Sequence, residues 1–83
     1  MRRLSVTDSI ACDHFIVHLL GEHSARGLNT SEICARVYAA FPQGFDQSNM
    51  GGVLRGRLLR MEFTGRIRHT GGGHGVPLTW WAT

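Results

Sequence analysis

Hydrophobic positions recur at helical spacing three times along the chain and then switch to alternation. From about residue 8 to 21, Cys12, Phe15, Ile16, Leu19 and Leu20 share one broad sector of a helix turning about 100° per residue. Ile10 and Val17, one heptad apart, fall nearly opposite, so this helix predicts a core face and a second face in want of a partner. Asn29-Thr30-Ser31-Glu32 reads as a capping box opening a second helix at about 30–41, with Ile33, Cys34, Val37, Tyr38 and Phe41 inward. Pro42-Gln43-Gly44 ends it, because proline cannot continue the ladder and glycine takes the turn.

A third helix is expected at about 47–63, capped by Asp46 or Ser48, packed through Leu54, Leu58 and Met61, and closed by Gly65. Its outward face reads Ser48, Asn49, Gly52, Arg55, Gly56, Leu59 and Arg60, with Val53 and Arg57 flanking. From Arg66 the period falls to two. Arg66 and Arg68 alternate with Ile67, Gly71 to Gly75 make a tip around His74, and Val76, Leu78 and Trp80 alternate with Thr79 and Trp81. This is a β-hairpin at about 66–81, with Pro77 at the start of the returning strand or at an edge and one tryptophan ring closing the core. The expected class is α+β, mostly α.

Composition narrows the picture to one small domain. Eighty-three residues with 42% hydrophobic and 18% charged content suit a compact fold and leave no room for a large enzyme architecture. Cys12 and Cys34, each inside a helix, do not make a disulfide scaffold, so reduced thiols and a cytoplasmic location are expected. Asp8, Asp13, His14 and His18 interrupt every apolar run near the start, which argues against an export signal or a membrane span.

Charge is the feature that points to a partner. Residues 1–45 balance four arginines against four acids, whereas residues 46–83 set Arg55, Arg57, Arg60, Arg66 and Arg68 against Asp46 and Glu62 only, so the whole net charge of +3 lies there. A one-sided basic surface is the electrostatic footprint of a polyanion partner, nucleic acid first.

The ordered elements carry a resemblance. Gly27-Leu28-Asn29-Thr30-Ser31-Glu32-Ile33 resembles the G-L-T-x-x-E-I that opens the second helix of many bacterial winged helix-turn-helix repressors. Leu54, Leu58, Met61, Gly65 and Ile67 look like their L-x-x-x-L-x-x-L-x-x-x-G-x-I, which leads from recognition helix into wing. The likeness spans about residues 10 to 81. It implies a three-helix winged helix-turn-helix domain that binds double-stranded DNA as a small bacterial or phage transcriptional regulator, most simply a repressor. By that resemblance Gln47, Ser48 and Asn49 lie near base edges, with Gly52 letting the backbone approach. Arg55 and Arg60 are then expected at guanine edges or phosphates, Arg57 at the phosphate backbone, and Arg66, Arg68 and His74 of the wing along phosphates or in a minor groove. Two copies pairing through Ile10, His14 and Val17 would suit a palindromic site.

Other chemistry finds less in the sequence. His14 and His18 have a chelating i, i+4 spacing, but Cys12 points away from His14, so no metal site and no cofactor are expected. No nucleophile, base and acid form a constellation, so no enzyme is expected. The alternative to DNA is a winged-helix module for an acidic protein partner, with the first helix and the arginines as its contact.

Overall fold

A computed structural model describes residues 6–46 and 48–83 of the chain. The elements follow in the order α1 (Val6–Glu22), β1 (Leu28–Asn29), α2 (Thr30–Ala40), α3 (Met50–Phe63), β2 (Ile67–Thr70) and β3 (Thr79–Ala82). The three strands form an antiparallel sheet in the order β1-β3-β2. The fold is α+β and mostly α, as the periodicities predict.

The core forms where the three helices close on the sheet. Cys12, Ile16, Leu19 and Leu20 of α1 meet Ile33 and Val37 of α2, Leu54, Leu58 and Met61 of α3, and Ile67 and Trp80 of the sheet. Phe15 and Phe41 meet edge to face with centroids 5.9 Å apart, which fixes the end of α2 against α1. Trp80 lies mid-way along the central strand, paired with Leu28 on one side and His69 on the other, and is completely buried. Its indole N–H donates to the Thr30 hydroxyl at 2.9 Å, tying the sheet to the start of α2. Trp81 stays half-exposed on the sheet, its indole N–H bonded to Thr70 Oγ1.

The predicted capping box forms. Asn29 Oδ1 accepts from the Glu32 N–H at 2.8 Å, and Glu32 Oε1 accepts from the Asn29 N–H at 3.2 Å. That N–H holds the Glu32 carboxyl below its usual range against an opposing effect of desolvation, and the Arg26 guanidinium at 2.7 Å pulls the same way. Just before it, Gly27 adopts φ +69° and lies so close to β3 that a Cβ would stand 2.9 Å from the Trp80 carbonyl oxygen. Only glycine admits this contact without strain.

Several boundaries differ from the sequence reading. The first helix is slightly longer than 8–21, running Val6–Glu22. The third begins at Met50 rather than near 47, because Asp46 Oδ1 takes both the N–H and the hydroxyl of Ser48, at 3.0 and 2.8 Å. A local turn of this kind competes with the helix for the same donors, so Ser48 and Asn49 precede α3 instead of lying along it. The returning strand is also shorter than expected, starting at Thr79. Across the tip the Gly72 N–H donates to Val76 O and the Val76 N–H to Gly73 O, and Pro77 has no N–H for the ladder. At the other end of α3, Gly65 at φ +81° donates to Glu62 O while Arg66 N–H reaches Met61 O. This pair of bonds satisfies the last carbonyls and turns the chain into β2.

Candidate nucleic-acid interface

The basic residues of the second half divide into tethered and untethered groups. Arg57, expected at phosphates, is instead drawn inward: its Nη1 lies 2.8 Å from Asp13 Oδ1 and 3.1 Å from Ser9 Oγ on α1. Its side chain is 17% exposed, because the facing helix supplies a carboxylate closer than any external anion. Arg66 lies 3.5 Å from the other Asp13 oxygen and is half-buried. Arg68 places its guanidinium 5.4 Å from the centre of the Trp81 ring, its cross-strand neighbour, and remains exposed. The Arg55 and Arg60 side chains are exposed, with no side-chain hydrogen bond or ion pair among the described residues.

Four of these arginines border two clefts. Arg55 lines one of about 310 Å³ with Thr30 at the start of α2 and Gly72, Val76, Pro77 and Leu78 of the hairpin. Helix α3 and the hairpin thereby edge one concave surface, with Arg55 as its cation. A second cleft of about 190 Å³ lies between α1 and α3, lined by Ser9, Asp13, Arg57, Arg60, Met61, Thr64 and Arg66. Ser48 and Asn49 are exposed ahead of α3, and His74 is exposed at the tip. Gln47 lies outside the described residues.

Along the outward face of α3, Gly52 and Gly56 look into open space: a Cβ at either meets nothing within 4 Å. Nothing inside the fold requires glycine there, although each costs a helix about 1 kcal/mol relative to alanine. On the same face Leu59 is exposed and Phe63 is 90% exposed, which makes an apolar stripe. The sequence reading placed Leu59 there and passed over Phe63, although a helical wheel sets it opposite Leu54, Leu58 and Met61. Asp13 was not, since its partner Arg57 stands 44 positions away.

The first-helix trio splits. Ile10 and His14 are exposed, whereas Val17 is half-buried and packs against the core, so the face opposite the main sector is only partly unpartnered. His18 engages Glu22 at 2.8 Å one turn on. Among the described residues, no three His, Cys, Asp or Glu side chains gather as a metal site. Burial pushes the Cys12 and Cys34 thiols up, with Arg57 partly offsetting the effect at Cys12, which keeps both protonated and weakly nucleophilic at neutral pH. Glu62 bonds to the backbone N–H of His69 at 2.8 Å and to its ring Nδ1 at 2.7 Å, a contact across the α3–β2 corner. Among the described residues, no helix is long and apolar enough to cross a membrane.

Comparison of the chain with protein-family models, with curated proteins and with solved structures finds no match.

Proposed function

We propose that the chain binds double-stranded DNA as a winged helix-turn-helix regulator, acting in the cytoplasm and most simply by occupying a promoter. The observation that carries this reading is the placement of Arg55 of α3, exposed, in a cleft whose other wall is the hairpin. The order helix, strand, helix, helix, hairpin, with β3 between β1 and β2, supports the same resemblance. In this reading Ser48, Asn49 and Gly52 approach base edges at the leading end of α3. Arg55 and Arg68 grip backbone phosphates, and His74 rides at the tip.

Binding of this kind releases counterions, so affinity for a mixed-sequence duplex is expected to fall steeply with salt. Arg55→Ala and Arg68→Ala should each flatten the log–log slope by about one phosphate contact. Fluorescence anisotropy across a salt series measures it, and an absence of binding at low salt rejects the reading. The open-space glycines give a second expectation, of opposite sign for fold and function. Gly52→Ala with Gly56→Ala should raise stability by about 2 kcal/mol, a Tm gain of roughly 8–16 °C for a domain of this size. The same pair should weaken duplex binding, since each added methyl stands on the face that approaches DNA. A double variant that gains stability and binds duplex undiminished removes α3 from the interface.

One observation favours a second reading, an adaptor for an acidic protein. Leu59 and Phe63 form an exposed apolar stripe flanked by Arg55 and Arg60, which suits an amphipathic acidic helix better than a sugar-phosphate backbone. The salt series separates the two.

A further inference from the structure

We propose that the cleft between α1 and α3 is a binding site for a phosphate group, separate from the surface assigned to duplex DNA. The two clefts share no lining residue. Three guanidiniums, Arg57, Arg60 and Arg66, face a single carboxylate, Asp13, so the cleft keeps an excess of positive charge after its internal pairing is complete. Asp13 bridges Arg57 at 2.8 Å and Arg66 at 3.5 Å, which holds two of the three forks in place before any anion arrives. Preorganised arginine forks are what bidentate phosphate recognition uses, and little ordering cost remains on binding.

One further feature points to an oxyanion. The hydroxyls of Ser9 and Thr64 line the same cleft: Ser9 Oγ accepts from Arg57, leaving its own proton to donate, and Thr64 Oγ1 donates to Met61 O, leaving lone pairs free. A protonated phosphate oxygen and an ionised one both find a partner there. The volume, about 190 Å³, lies below the roughly 300–1,000 Å³ of sites that enclose a drug-sized ligand. The cleft therefore takes one phosphate group, either free or at the edge of a larger molecule.

The test is an NMR titration of ¹⁵N-labelled protein with inorganic phosphate at constant ionic strength, read at the arginine Nε–Hε resonances, with chloride as the comparison anion. Saturable shifts are expected at Arg57, Arg60 and Arg66, with Arg36 and Arg55 unmoved. Arg60→Gln, an exposed position whose change leaves the Arg57–Asp13 pair intact, should weaken phosphate binding about tenfold. Release of bound phosphate by duplex DNA would make the cleft part of the duplex surface and overturn its separateness. Release by phenyl phosphate but not by duplex would identify a phosphomonoester. Shifts that never saturate, an equal response to chloride, or an Arg60→Gln variant of unchanged affinity would overturn the proposal. Saturable phosphate binding in a protein that ignores duplex keeps this site and removes only the DNA reading.

Discussion

Trp80→Ala is expected to cost the fold about 3–5 kcal/mol. A chain of 83 residues has a total stability of roughly 4–12 kcal/mol, so this one truncation removes between a quarter and all of it. The magnitude follows from place. Trp80 has no exposed surface, sits on the central strand, and has both other strands as neighbours, so no peripheral side chain can collapse into the space it leaves. Its indole also carries the bond to Thr30, which joins the sheet to α2. Trp80→Phe keeps most of the ring and loses that bond, and should cost less, about 2 kcal/mol. Urea unfolding followed by far-UV circular dichroism measures both. A loss below about 1 kcal/mol for the alanine variant would remove Trp80 from the centre of the core.

Removal of the Arg57 guanidinium is expected to have the largest effect of any single charge change, about 3 kcal/mol for Arg57→Met. Methionine preserves the stem's packing, so the loss reports the head group. Asp13, 25% exposed, would then stand against α3 with only the longer contact to Arg66, and the Ser9 hydroxyl and carbonyl would lose their shared donor. The paired variant Arg57→Met with Asp13→Leu should recover most of the loss, because replacing both members of a desolvated pair by apolar groups is close to neutral. A double-mutant cycle in urea checks this. Additive losses would mean that the two side chains do not act as a pair.

What the sequence made legible was local. The apolar sector of α1, the capping box at Asn29 and Glu32, and the glycine that ends α3 each reside within a few consecutive residues, and each is found in place. Alternation located the hairpin, and the rings of Trp80 and Trp81 divide between core and edge as expected. The departures lie where a side chain overrides periodicity or where partners are far apart. Asp46 captures Ser48 and delays α3, a competition between a turn and a helix that apolar spacing cannot register. Strand β1 is only two residues long and owes its existence to β3, about fifty positions later. Charge counting found the basic half of the chain, but it weighed Arg57 equally with Arg55. Only the fold distinguishes them, by setting Asp13 beside one and open surface beside the other.

The contact between Glu62 and His69 has a consequence for the sheet's borders. Strand β2 is an outer strand, and the backbone N–H of His69 faces away from β3 to meet the Glu62 carboxylate. That donor is one that an open strand edge would offer to a passing chain, and here a negatively charged group from the preceding helix occupies it. The opposite border, β1, is too short to template an added strand. With one donor of the outer edge taken by a carboxylate and the other margin only two residues long, the sheet leaves little backbone for a passing chain to pair with.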